Sequence, residues 1–179
     1  QTLTPRLEEF IKVLRKKRLT AAVVRDQANV RALTGIDCDN ALLAVRCDGE
    51  VVFHTDFRYI PMAHRVAPWL KTKDMKKFAL RDFCRLPKTA QGQKPTGLSI
   101  GYESNMTVSR FEALKKGAKK AKFVDVLKEL HAIRSVKDAA EIEKLRAAAE
   151  LNDEIWEDAQ KEFRRGMTER QMARIIKHM

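Results

Sequence analysis

The sequence predicts an α/β domain, a sheet covered by helices on both faces, followed by a separate helical unit. Three observations carry this. Short apolar runs of about four to seven residues alternate with amphipathic stretches of about eight to fourteen, a pattern that suits neither an all-β nor an all-α fold. Two of the apolar runs are joined by Asp48-Gly49, which marks one antiparallel hairpin in the sheet. The charge also changes abruptly near Ser135. Residues 1–133 hold 26 basic and 14 acidic side chains, residues 134–179 hold 10 of each, and the whole +12 lies in the first part.

Each element has a local reason. Thr4 caps a helix with Pro5 at its first position, and Leu7, Phe10, Ile11 and Leu14 form one apolar stripe through about Arg18. Ala21–Val24 reads as a buried strand, and residues 29–33 as a brief helix closed by Gly35. Residues 41–47 and 50–55 are the hairpin strands, with Asp48 and Gly49 both expected at positive φ in a two-residue turn. Residues 57–66 turn helical and stop before Pro68. Met75, Phe78, Ala79 and Phe83 predict a further amphipathic helix. Residues 86–96, with Pro87, Gly92 and Pro95, read as an exposed loop. Residues 98–101 and 122–126 are strands, separated by a helix from Thr107 through Lys116 with Phe111 and Leu114 inward. Residues 126–133 return to helical spacing.

The last unit differs in kind. Ile142, Leu145, Ala149, Asn152, Trp156, Ala159 and Phe163 recur at steps of three and four, the seam of one long helix of about 25 residues. Gly166 ends it, and Thr168 with Gln171 forms a capping box for another helix with Met172, Ile175 and Ile176 inward. Two such helices cannot bury their seams alone. The unit is therefore expected to be the opening of a larger domain that continues past Met179.

Composition excludes several classes. With 7 glycines and 5 prolines the chain is neither collagen-like nor low-complexity, and 44% hydrophobic residues argue against disorder. No run approaches the ~20 apolar residues of a membrane span, and the charged start does not resemble a signal segment. Cys38, Cys47 and Cys84 fit a reducing, cytoplasmic setting better than a disulfide framework. Basic clusters at residues 12–18, 71–77 and 115–122 could meet phosphates. They lack interleaved aromatics and lie in or beside amphipathic helices, so a solvated surface is preferred to a nucleic-acid footprint.

Several segments, in order, resemble the creatinase/prolidase-type (pita-bread) metallopeptidase family of Xaa-Pro aminopeptidases and dipeptidases. They are Ala21-Ala22-Val23-Val24, Asn29-Val30-Arg31-Ala32-Leu33-Thr34-Gly35, Thr55-Asp56-Phe57-Arg58-Tyr59 and Ile100-Gly101-Tyr102-Glu103. The linker signature from Ile133-Arg134-Ser135 to Lys144-Leu145-Arg146 and Arg165-Gly166-Met167-Thr168-Glu169 follow. Ala32 stands where an aromatic is usual. The resemblance implies a non-catalytic N-terminal domain over residues 4–133 with a mixed sheet of about six strands. Residues 134–179 would then be the linker and opening helices of a pita-bread catalytic domain. It further implies that two divalent metal ions, Mn, Co or Zn, belong to that domain, where two Asp, one His and two Glu hold them. None of those blocks occurs here, so catalytic, cofactor and metal residues are all expected to be absent from this chain. The parent would hydrolyse the bond preceding proline in short peptides. This domain would wall the active site, limit substrate size and make dimer or higher-oligomer contacts.

Single residues are weighed accordingly. Asp56 and Arg58 read as an ion pair anchoring the exit from the hairpin, with a carboxylate or neighbouring subunit as the functional alternative for Arg58. Tyr59 reads as packing, and Trp69, after Pro68, as a partner contact. These four are the candidates for an interface or substrate gate. His54, Asp56, His64, Asp37, Asp39 and Cys38 include metal-ligand types without the spacing of a zinc site. His131 and His178 read as surface or packing residues, and the three cysteines as free thiols. Two other functions remain in view: a basic nucleic-acid-binding α/β module, and a scaffolding member of the same family without peptidase chemistry, as creatine amidinohydrolase lacks it.

Overall fold

The computed structural model describes residues 3–84 and 97–178; the loop expected over residues 86–96 lies outside them. Among the described residues the order is α1 (Pro5–Lys16), β1 (Ala21–Val24), α2 (Gln27–Thr34), β2 (Ala41–Arg46), β3 (Val51–Thr55) and α3 (Ile60–Val66). Then come β4 (Lys71–Asp74), a 3-10 turn (Met75–Lys77), α4 (Leu80–Phe83), β5 (Ser99–Tyr102), α5 (Val108–Gly117) and β6 (Lys122–Asp125). Last are α6 (Leu127–Ser135), α7 (Ala139–Glu162) and α8 (Glu169–Lys177). The strands form one six-stranded sheet in the order β4-β3-β2-β1-β5-β6. Only β2 pairs antiparallel to its neighbours, so the other five strands run the same way.

Alternation along the strands divides the core in two. Ala22, Val24, Leu43, Val45 and Phe53 pack with Leu7, Phe10 and Leu14 of α1, Leu33 of α2 and Leu130 of α6. Ala21, Val23, Leu42, Ala44 and Ile100 face the other way, onto Leu80 of α4 and Leu114 and Ala118 beside α5. Strands β1 and β2 are buried along their whole length because both faces are covered. The α1 stripe is buried as its spacing requires. Its cap does double service: Thr4 Oγ1 accepts from the Leu7 amide at 3.2 Å and donates to the Leu33 carbonyl at 2.6 Å, tying α1 to α2.

Two local expectations are corrected. The hairpin exists, but its turn has three residues. The Gly49 amide donates to the Arg46 carbonyl and the Arg46 amide to the Glu50 carbonyl, and only Gly49, at φ 103°, is left-handed. This is the longer hairpin loop with glycine at the αL position, so Asp48 needs no positive φ. Its carboxylate instead grips Arg46 at 2.6 and 2.8 Å. Second, Met75, Phe78, Ala79 and Phe83 do not share one helix. Lys71–Asp74 is an edge strand paired with β3, and a 3-10 turn and the short α4 follow. The strand carries little apolar signal because its edge position leaves it half-exposed, and lysines blunt such an edge against further pairing.

The chain divides into two compact units, one up to Ser135 and one from Val136 onward. In the second, Asp138 with Glu141 and Thr168 with Gln171 form capping boxes that start α7 and α8. Gly166 sits at φ 91° between them. Of the α7 seam Ala159 is fully buried, whereas Leu145 and Trp156 are more than half exposed. Met172 and Ile175 of α8 are only half-buried.

Candidate functional site

The five co-running strands end on the same side of the sheet, at their C-terminal ends, and each is followed or closed by an acidic residue: Asp26, Asp56, Asp74, Glu103 and Asp125. Four of these are turn and helix caps. Asp26 accepts from the Asn29 amide at 3.0 Å, Asp56 from Arg58 at 3.0 Å, Asp74 from Lys76 at 2.8 Å and Asp125 from Leu127 at 3.0 Å. The chemistry is that of an N-cap, a carboxylate satisfying an otherwise orphaned amide.

At the end of β3 the candidate gate is assembled. Asp56 holds Arg58 through two parallel bonds, Nε to Oδ1 at 3.0 Å and a terminal nitrogen to Oδ2 at 2.8 Å. Asn40 Nδ2 donates to Oδ2 at 2.9 Å, and the Asn40 carbonyl receives the Thr55 hydroxyl at 2.8 Å, lacing the loop before β2 to this corner. The Arg58 side chain and Asn40 amide hold the Asp56 carboxyl far below the usual range, and Asp56 raises Arg58 in turn. Arg58 lies over the Tyr59 ring, 5.3 Å from its centroid, and Asp39 hydrogen-bonds the Tyr59 hydroxyl, raising its pKa. The Arg58 side chain nevertheless remains 59% exposed, and neighbouring Phe57 is 78% exposed. The arrangement presents a fixed, planar cation beside an apolar ring. Trp69 is placed apart from this pair in the chain, half-buried against the core on the α1 side of the sheet.

A second constellation, at the ends of β1 and β5, did not emerge from residue-by-residue reasoning. Glu103 is 1% exposed. Its Oε2 accepts from the amides of Arg25 and Asp26 at 2.6 and 2.9 Å, and Oε1 accepts from Asn29 Nδ2 at 2.8 Å. Asn29 Oδ1 accepts from Arg134 at 2.7 Å, and Arg134 also pairs with Asp26 at 3.7 Å. Burial raises the Glu103 pKa against the opposing pull of these donors. Three motif segments far apart in sequence thus meet in one buried polar network. Their joint presence in the resemblance was the available signal.

The residues do not fit a metal pair. Among the described residues no group of three or more His, Cys, Asp or Glu side chains converges. His54, which shares a strand with the approach to Asp56, packs edge-on to Phe78 with ring centroids 4.9 Å apart, its Nδ1 3.4 Å from the Asp74 carbonyl. Burial lowers its pKa. Cys38 contacts the Thr55 hydroxyl at 3.3 Å, and burial pushes the Cys84 thiol up to about 12, the opposite of an activated nucleophile. All three cysteines are free.

The chain matches the Creatinase/Prolidase N-terminal domain over residues 6–136 and belongs to that family. Among solved structures it is similar to an Xaa-Pro dipeptidase from Bacillus anthracis, with 18% identity, a TM-score of 0.78, and coverage of 96% of this chain and 46% of that one. A prolidase from Pyrococcus horikoshii OT3 gives 19% identity and a TM-score of 0.77 over 98% of this chain and 48% of that one. An aminopeptidase P from Streptococcus thermophilus gives 22% and 0.58, covering 72% of this chain and 95% of that one. The chain therefore spans about half the length of the first two. No curated protein matches it. At these identities the likeness is one of fold: the mixed sheet, and after it a long helix and a partial helical region. Among the described residues no helix is long and apolar enough to cross a membrane.

Proposed function

We propose that this chain supplies the non-catalytic N-terminal domain of a metal-dependent Xaa-Pro peptidase, which hydrolyses the bond preceding proline. The domain walls the active site, limits access to short peptides and contributes contacts to its own catalytic domain and to a homodimer or larger oligomer. One observation carries the reading: Arg58 is held rigid by Asp56 yet left exposed beside Phe57. A guanidinium already fixed in orientation binds a carboxylate with less loss of freedom, which suits a peptide terminus or an acidic side chain across an interface. Tyr59 supports the Arg58 plane from below, and Trp69 is assigned to domain packing at the interface. The metal ions are assigned to residues outside this chain. Three free thiols support a cytoplasmic setting.

Kinetics of the parent enzyme test the reading. Arg58→Ala is expected to raise KM for an Xaa-Pro peptide about tenfold with kcat within about twofold, the signature of a lost binding contact. The 179-residue chain, given manganese, cobalt or zinc, is expected to show no turnover. Unchanged KM together with an unchanged oligomer in Arg58→Ala would remove the gate, and turnover by the isolated chain would remove the non-catalytic assignment.

A further inference from the structure

On the face of the sheet opposite α1, a cavity of about 500 Å³ opens between β2, the segment before α4, and α5. Its walls are apolar, chiefly Leu42, Phe78, Leu80 and Leu114, but two arginines, Arg25 and Arg110, line it as well. The volume falls in the range of small-molecule sites, and an apolar chamber with a few charged groups is their usual composition. Arg25 is placed there by the chain itself. Its amide is fixed by Glu103 at 2.6 Å, at the exit of β1.

The arginine side chain is only partly answered. Arg25 Nε is buried and has no hydrogen-bond partner among the described residues. The Glu103 carboxylate is already committed to the amides of Arg25 and Asp26 and to Asn29. A buried guanidinium donor left unmatched is costly, and a second cation adds repulsion. Burial and then the Arg110 charge lower the Arg25 pKa, and the Glu103 carboxylate offsets them in part. Among the described residues no acidic side chain lines the cavity.

We propose that this cavity binds a small amphipathic carboxylate, its anionic head between Arg25 and Arg110 and its apolar body against Leu42, Phe78, Leu80 and Leu114. This site is independent of the Arg58 gate and of any peptidase activity. The head pairs with the two guanidinium groups at the cavity wall, and the body displaces water from an apolar wall. Charge selects the head, because an amine of the same length would place a third cation beside two.

Titration of the 179-residue chain with octanoate, octanol and octylamine at constant ionic strength, followed by calorimetry and amide chemical shifts, tests this. Octanoate is expected to bind saturably, at least tenfold tighter than octanol, with shifts centred on Arg25 and α5, and octylamine not at all. Arg110→Gln changes an exposed side chain and is expected to weaken octanoate about tenfold, the scale of one charge-assisted hydrogen bond. Ala113→Phe, on the cavity wall, should abolish binding while thermal unfolding shows both variants folded. Octanoate binding no tighter than octanol, or unchanged by Arg110→Gln, would overturn the proposal.

Discussion

Burying the Glu103 carboxylate requires its acceptor oxygens to be answered, and two amides and the Asn29 side chain do so. Glu103→Ala leaves those three donors without their acceptor and is expected to cost about 3 kcal/mol or more in urea unfolding. The pH dependence has a definite sign. Burial raises this pKa above its ordinary 4.5 in the folded chain, so the folded state holds the proton more tightly than the unfolded one. The contribution is therefore full below about pH 4.5 and is lost as pH rises through the elevated folded value. Glu103→Gln cannot titrate and should lack that part of the slope; an identical slope in both proteins would refute the assignment. In the sequence, Glu103 was visible only as part of a motif. Nothing about a lone glutamate after a strand announces that it points inward, because its partners lie 74 to 78 positions away. Arg58 and Asp56 were legible for the opposite reason: two residues apart, they can meet through local geometry alone.

Among the elements, periodicity revealed those whose burial has one direction. The α1 stripe, the hairpin strands and β1 carry an apolar signal strong enough to place them, and the capping box of α8 marks its start. Strand β4 was not legible, since an edge strand reading Lys-Thr-Lys-Asp draws its order from pairing with β3 rather than from burial. The hairpin turn was misread because Asp-Gly serves both two- and three-residue loops, and only the Arg46 hydrogen bonds distinguish them. Strand β5 adds a packing constraint that sequence does not reveal. A Cβ on Gly101 would lie 3.0 Å from both Ala22 Cβ and Val126 Cγ1 and 3.3 Å from Leu19 Cδ1. Gly101→Ala should therefore cost about 1–3 kcal/mol by overpacking between β1 and the start of α6. A neutral or stabilising result in denaturant titration would show that the layer can spread.

At the scale of the whole molecule, charge and compactness divide at nearly the same place. The basic excess belongs to the first unit, and part of it has a structural use: Lys71, Lys73 and Lys122 stand on β4 and β6, the two edges of the sheet. That gives three of the clustered lysines a role without a polyanionic partner. The second unit exposes Leu145, Leu151 and Trp156, more apolar surface than a solitary helix pair hides. A fragment ending at Ser135 is expected to unfold cooperatively, with a midpoint within about 5 °C of the main transition of the full chain. One ending at Ile133 also loses Arg134 and should melt lower, by an amount set by the unanswered Asn29 Oδ1 and the lost Asp26 pair. Calorimetry of the two fragments measures this; equal midpoints would show that Arg134 contributes nothing.

Arg134 stands at the last turn before the chain leaves the first unit, and through Asn29 it is knotted to the interior carboxylate. The last turn of α6 is therefore held both by Leu130 in the core and by a polar rivet seated where the strands end. The exit from the first unit is thus a fixed mooring.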